Sequence, residues 1–170
     1  GVGDILETGT EEAIKGADVV MADSHTIAYW PFNEGSGSTV TDATATAYTG
    51  TINPLALWNE GRSNATDDYS VEFDGTFTNI GTNADFDATE FTAEVWFKTD
   101  TADKKMVLFS DKAGSKWAYN MYLNTGDLAF DFTVDNGNSV LLTSAMGIDD
   151  NMWHFAVVVR GEDYVELWLD

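Results

Sequence analysis

The chain has 170 residues and no cysteine, and its 29 acidic and 8 basic residues give a formal net charge of −21. A chain of this length buries roughly 70% of the surface that its unfolded form exposes, so it can form one domain with a real core. The absence of cysteine excludes disulfides and thiol chemistry. The negative charge disfavours nucleic acid and anionic lipid as partners. No stretch is apolar for long enough to insert in a membrane.

The first 25 residues differ from the rest of the chain. They are acidic and contain no aromatic residue. They could form a short helix near Glu11–Lys15 or an extended segment at Val19–Met21. We interpret residues 1–25 as an N-terminal arm or linker and residues 26–170 as the folded domain.

From Thr26 onward, short alternating apolar runs are separated by turn residues, which is typical of a β-sandwich or jelly roll. The first predicted strand is Ile27–Phe32. The later predicted strands are Thr51–Ile52, Leu55–Trp58, Ser70–Phe73, Phe91–Lys98, Met106–Phe109, Trp117–Leu123, Leu128–Val134 and Val140–Leu142. Asn124–Gly126 and Asp135–Asn138 are predicted hairpin turns.

The last segment of the sequence predicts a β-hairpin. Four apolar residues share one face of its first strand: Trp153, Phe155, Val157 and Val159. Arg160–Asp163 supplies the turn residues, and a second alternation follows over Tyr164–Asp170.

Four of these stretches resemble the laminin-G-like, concanavalin A-like lectin/glucanase jelly-roll domains. They are Ala28–Gly37, Val71–Gly75, Phe91–Lys98 and Trp153–Asp170. The resemblance implies an all-β, antiparallel jelly-roll sandwich over residues 26–170.

The chain departs from that family in two places. Ala43–Tyr48 stands where the family usually has a glycine- and asparagine-rich turn. The family's last strands, which usually follow the equivalent of Asp170, are missing. Three explanations stay open: the sequence is a fragment, the arm folds back onto its own domain, or the arm of a neighbouring copy completes the sheet.

The fold also includes glycoside hydrolases, whose retaining members need two carboxyl groups about 5 Å apart. Glu72 and Asp74 alternate along one predicted strand, and Glu166 and Asp170 lie on another. Neither pair continues into the acid motif of laminarinase-like enzymes. We therefore predict no catalytic residues. His154 has no neighbouring nucleophile and is expected to be structural.

Asn83, Asp85 and Asp87 alternate in a predicted loop, and oxygen-only ligands suit calcium. Ala88 stands where an EF-hand loop needs glycine, so that motif is excluded. The resemblance implies calcium at a loop rim, and these three residues are our candidate ligands. The alternative is that they are solvated acids on a surface adapted to a saline medium.

Exposed aromatic rings can stack on sugars. One side of the predicted strand carries Trp117, Tyr119, Met121 and Leu123. Trp117 and Tyr119 are therefore expected to lie in the core. Trp58 and Tyr122 are the remaining candidates for ligand binding, with core packing as the alternative for each. Asn64 begins an Asn-Ala-Thr glycosylation acceptor sequence.

The resemblance implies a non-catalytic binding or adhesion module, extracellular or at the cell surface, for a glycan or an extracellular protein, with calcium as the cofactor considered. A structural subunit that forms homo-oligomers or filaments by strand donation from the arm is the first alternative. A glycoside hydrolase is the second. Fold analogy carries most of this interpretation.

Overall fold

The computed structural model describes residues 22–63, 65–73, 75, 78–79, 86, 88–101, 103–111, 119–133, 139–144 and 147–170. These ranges contain twelve β-strands and no α-helix, and every strand pair is antiparallel. The predicted all-β, antiparallel jelly-roll class is confirmed. No helix in these ranges is long and apolar enough to span a bilayer.

The chain divides into two compact units, Gly1–Ile80 and Gly81–Asp170. The strands of the first unit are β1 (Thr39–Val40), β2 (Gly50–Ile52), β3 (Leu57–Glu60), β4 (Tyr69–Glu72) and β5 (Thr78–Asn79). They form a three-stranded sheet in the order β1-β2-β5 and a separate β3-β4 pair.

The second unit contains two larger sheets. Its strands are β6 (Phe91–Lys98), β7 (Met106–Asp111), β8 (Tyr119–Asn124), β9 (Asp127–Thr133), β10 (Ser139–Ser144), β11 (Trp153–Arg160) and β12 (Val165–Leu169). One sheet has the order β10-β9-β8-β7, and the other has the order β12-β11-β6.

The core of the second unit is built from both of its sheets. Its buried members are Phe97, Met121, Leu123, Leu128, Phe130, Phe132, Ile148, Ala156 and Val158. Along β9 the buried residues of this core alternate with Ala129 and Asp131, as the two-residue period of a strand requires. Tyr119 packs against this core together with Met121 and Leu123, as predicted, whereas Trp117 lies outside the described residues. The second unit is therefore itself a two-sheet sandwich.

The turn between β8 and β9 matches the predicted hairpin signal. Thr125 and Gly126 have φ values of 53° and 84°. Positive φ at both central residues is the geometry of the tight turn that suits the twist of paired strands.

The prediction of a strand at Ile27–Phe32 is wrong. The Tyr29 N–H donates to Oδ1 of Asp42 at 2.9 Å, and the Tyr29 carbonyl accepts from the Ala43 N–H at 2.8 Å. Phe32 has a φ of 57°, which interrupts an extended chain. The backbone here is held by a side chain and a loop instead of a neighbouring strand.

Asp42 organises the loop Ala43–Tyr48. Its Oδ1 accepts the N–H of Thr44 as well as that of Tyr29, and its Oδ2 accepts the Tyr48 N–H and the hydroxyls of Thr44 and Thr46. Burial by itself raises the pKa of Asp42, but these hydrogen bonds outweigh it and lower the pKa to about 2. Hydrogen bonds to the Asp42 side chain thus hold the loop that follows it.

Candidate functional site

The three-stranded sheet of the second unit has a surface rich in aromatic side chains. Alternate residues of β6, β11 and β12 pack on the core, so the residues between them point away from it. We call this surface the aromatic face. It comprises Glu94, Trp96 and Lys98 of β6, Trp153, Phe155 and Val157 of β11, and Glu166 and Trp168 of β12.

Cross-strand pairs build the central part of the aromatic face. Trp96 lies opposite Phe155, with ring centroids 4.8 Å apart and planes inclined by 30°. Lys98 lies opposite Trp153, and its Nζ is 5.7 Å from the centre of the indole ring. Such aromatic and cation–π pairs are typical units of sheet stabilisation, and they hold these side chains in fixed positions.

Trp168 is the most exposed ring of the aromatic face. It is 60% exposed, and its indole N–H donates to Oε2 of Glu166 at 3.2 Å. The bond satisfies the polar edge of the ring and orients it, while the apolar face of the indole stays accessible. A tryptophan held in this way is suited to stack on a ligand.

Glu94 lies in the same cross-strand row as Trp168. Val157 stands between them and is paired with Glu94 on one side and with Trp168 on the other. The Glu94 side chain is exposed, and partial burial beside its neighbours on the sheet raises its pKa. The structure provides Glu94 with no hydrogen-bond or ion-pair partner among the described residues.

The carboxylates of the aromatic face are not arranged as an acid pair. Glu94 lies directly opposite Val157 on the neighbouring strand, and Glu166 lies directly opposite Val159. Directly opposed residues are the closest across a sheet, so neither carboxylate faces another across a strand pair. The face offers stacking surfaces and isolated acceptors, which suit the binding of a polyhydroxylated ligand.

Trp58 lies on β3 in the first unit, where its ring is half-buried. Its indole N–H donates to the carbonyl of Gly37 at 2.9 Å, so the polar edge of the ring is engaged within the protein. The ligand-binding role of Trp58 stays a prediction.

Tyr122 lies on β8 and is 8% exposed. The Nζ of Lys105 is 3.3 Å from the centre of its ring and 3.9 Å from Oδ2 of Asp131. Asp131 also accepts a hydrogen bond from the Asn120 amide at 2.6 Å. Burial and the neighbouring Asp131 raise the pKa of Tyr122. A sugar would reach this ring only after Lys105 moved, and the binding role of Tyr122 stays a prediction.

The candidate calcium ligands Asn83, Asp85 and Asp87, and the glycosylation acceptor Asn64, lie outside the described residues. Within the described ranges, no group of three or more histidine, aspartate or glutamate side chains is placed to hold a metal ion. The calcium and glycosylation sites stay predictions.

The acids considered for catalysis make other contacts. Oε2 of Glu72 accepts from the Asn59 amide at 2.7 Å, and Asp74 lies outside the described residues. Oε2 of Glu166 accepts from Trp168, and Oδ1 of Asp170 accepts the Phe155 N–H at 2.9 Å.

The sequence pattern did not single out the aromatic face as a site. The alternation of Phe91–Lys98 and Trp153–Val159 was visible as a strand signal, but both alternating sets on each strand contain apolar residues. A usable signal was the spacing of Glu94 with Trp96 and of Glu166 with Trp168, since each places a carboxylate beside an indole on one side of a strand.

A sequence model of the family described as the Concanavalin A-like lectin/glucanases superfamily matches residues 73–170. Searches of curated proteins and of solved structures find no match. The match covers more than half of the chain and includes β6 to β12 with the whole aromatic face, whereas Ala28–Gly37 lies outside it. The family description names both lectins and glucanases and so covers binding modules and enzymes. The chain belongs to the concanavalin A-like lectin/glucanase superfamily.

Proposed function

We propose that this protein is a non-catalytic extracellular binding module that takes a glycan on its aromatic face. The observation that carries the proposal is Trp168, which is 60% exposed and is oriented by its bond to Glu166. A patch of apolar side chains at the surface is informative, whereas a single exposed one is ordinary, and Trp168 shares its face with Trp96 and Phe155. Stacking on a sugar ring would remove this surface from water.

The dimensions of the aromatic face suit a chain of sugars. Trp168 and Trp96 lie on the two outer strands of the sheet, with β11 between them. Adjacent strands are about 4.8 Å apart, so the two residues are separated by about 10 Å across the sheet. Trp96 lies in the neighbouring row with Phe155, which extends the separation to about 12 Å. This span exceeds one pyranose ring and supports contact with at least two.

The register of the carboxylates supports binding without hydrolysis. A retaining glycosidase holds its nucleophile and proton donor about 5 Å apart, whereas Glu94 and Glu166 are each registered with a valine. We expect no release of reducing ends from β-glucans or galactans. Turnover that disappears in Glu94→Gln or Glu166→Gln would show that the protein is an enzyme.

The binding site can be tested by affinity electrophoresis in gels that contain soluble polysaccharides, followed by calorimetry on any ligand found. We expect Trp168→Ala to weaken binding about tenfold or more, which corresponds to about 1.4 kcal/mol of lost stacking. Leu141 is a matched control because it is 58% exposed on β10 of the other sheet, and Leu141→Ala should bind normally. Full affinity in Trp168→Ala, or binding lost instead in Trp58→Ala or Tyr122→Phe, would place the site elsewhere.

A second candidate function is favoured by the position of β12. In the described part of the chain, β12 pairs with β11 alone and forms an edge of its sheet. An edge strand presents backbone groups that another strand can pair with, and a donated arm would join copies head to tail into a filament or a ring. Deletion of residues 1–24 should then dissociate the assembly in light scattering. A full-length protein that stays monomeric at every concentration would eliminate this function.

A further inference from the structure

Glu94 is the group of the aromatic face whose surroundings call for a ligand. Its cross-strand neighbour is Val157, and Trp96 lies two residues along on the same side of β6. The Glu94 side chain is exposed beside these apolar neighbours, and no donor or cation pairs with its carboxylate among the described residues. Partial burial by the same neighbours raises the pKa of Glu94.

A cation from outside the chain would give the carboxylate of Glu94 a partner. Lys98, the basic residue of the aromatic face, is directed over the ring of Trp153. The chain as a whole has 29 acidic residues against 8 basic ones, so its field attracts cations towards this surface. A metal ion usually needs several oxygen ligands, whereas an ammonium group can pair with one carboxylate and rest against indole faces at the same time.

We propose that the glycan bound on the aromatic face carries free amino groups, with a protonated amine of one sugar paired with Glu94 while the sugar rings stack on Trp168 and Trp96. The inference rests on the proposed function and names its ligand class. Glu166, bonded to Trp168, adds a second negative charge to the face. Sulfated and uronic acid glycans would therefore be repelled.

The test compares a short glucosamine oligomer with the N-acetylated oligomer of the same length, at a pH where the free amines are protonated. Binding to the full chain is followed by tryptophan fluorescence and calorimetry. We expect the amino form to bind about tenfold tighter or better, with an advantage that shrinks as salt is added. Glu94→Gln should remove most of this advantage, because it weakens binding of the amino form more than binding of the acetylated form.

Glu162→Gln is the matched control, because Glu162 is an exposed acid in the β11–β12 turn and its substitution changes the net charge equally. It should keep the preference for the amino form. Glu94→Gln is expected to fold, because Glu94 is exposed and its carboxylate has no partner among the described residues, and its melting curve verifies this. A Glu94→Asp variant, which keeps the charge but shortens its reach, should show an intermediate preference.

Three results would overturn the inference while leaving the glycan-binding function intact or replacing it. Equal binding of the amino and acetylated forms would show that Glu94 does not pair with an ammonium group of the ligand. An equal loss in Glu94→Gln and Glu162→Gln would show that net charge alone attracts the oligomer. Oligolysine that binds as tightly, with the same loss in Glu94→Gln, would assign the face to basic peptides. Absence of binding to amino, acetylated and neutral glycans alike would contradict the proposed function itself.

Discussion

The Nδ1 atom of His154 lies 2.7 Å from Oδ2 of Asp170, and Nε2 of the same ring lies 3.1 Å from Oδ1 of Asp150. Carboxylate oxygens accept hydrogen bonds, so a ring that bonds to both must donate from both nitrogens and is an imidazolium. Asp170 also accepts the Phe155 N–H. The cluster therefore fastens the residue after β12 to the start of β11 and to the turn before it.

This cluster predicts a fall in stability as the pH rises. Burial by itself lowers the pKa of His154, but the hydrogen bonds to Asp170 and Asp150 outweigh burial and raise the pKa above 6.5. A raised folded pKa adds stability that is fully present below the unfolded value and is lost as the pH rises through the folded value. Urea unfolding should therefore show a free energy of unfolding that decreases as the pH rises above 6.5.

The variant His154→Gln should have a lower free energy of unfolding than the wild type at about pH 6, since it loses two hydrogen bonds between charged groups whose carboxylates are half exposed. Its free energy of unfolding should also lack the decrease with rising pH that the wild type shows. His25→Gln is the control, because the side chain of His25 is 91% exposed. A wild-type stability that is flat above pH 6.5 would contradict the charged-cluster interpretation.

Asp42 is predicted to be essential to the first unit. It is 4% exposed and accepts three backbone N–H groups, so Asp42→Asn should cost about 2–4 kcal/mol by leaving buried donors poorly paired. Because its pKa is lowered from 3.8 to about 2, its contribution is present above the unfolded value and is lost as the pH falls through about 2.

Chemical unfolding of Asp42→Asn beside Asp67→Asn measures this effect, since Asp67 is an exposed aspartate of the same unit. Asp67→Asn should change the free energy of unfolding by less than about 0.5 kcal/mol. Equal, small effects in the two variants would mean that the Asp42 hydrogen bonds do not hold the loop.

Ala47 lies at a position where glycine should make the folded protein more stable. Its φ is 57°, a left-handed conformation that costs a residue with a Cβ about 1–2 kcal/mol. Ala47→Gly removes that strain but gives the unfolded chain more freedom, so the net gain should be about 0.5–1 kcal/mol. Ala45→Gly in the same loop lacks the positive φ and should instead destabilise the protein. Thermal unfolding of the two variants side by side tests the sign of each effect.

Calcium is predicted to raise the melting temperature through Asn83, Asp85 and Asp87. Binding to the native state alone stabilises it by mass action, by about 2.7 kcal/mol at a hundred times the dissociation constant. Calorimetric melting in millimolar calcium and in chelator measures the shift. The double variant Asp85→Ala, Asp87→Ala should abolish it. An unchanged transition in the wild type would remove calcium from the function of this protein.

Most strands could be read from the sequence because alternation is a direct consequence of backbone geometry. The predicted bounds Phe91–Lys98 coincide with β6, and the strand signal after Met152 coincides with β11. The strands β1 and β5 have two residues each, which is too short for a period of two to be visible. The family resemblance rested on the same long strands and is confirmed over residues 73–170.

The prediction of a strand at Ile27–Phe32 is wrong because of a contact in the tertiary structure. The segment alternates like a strand, but the N–H of Tyr29 is taken by the Asp42 side chain, which lies thirteen residues further along the chain. No local pattern shows which buried carboxylate will compete with a neighbouring strand for a backbone donor. Buried donors go to whichever acceptor the folded chain brings into range.

The sequence by itself determined the all-β fold class, the positions of the long strands and the acidic character of the surface, because these depend on local alternation and composition. Only the tertiary structure decided which alternate residues became the aromatic face. On β11 both sets are apolar, and Ala156 and Val158 are the buried ones. The larger rings of Trp153 and Phe155 are turned outward because Phe130, Phe132 and Met121 of the opposite sheet share that core, and a close-packed interior has space for one large side chain at each position.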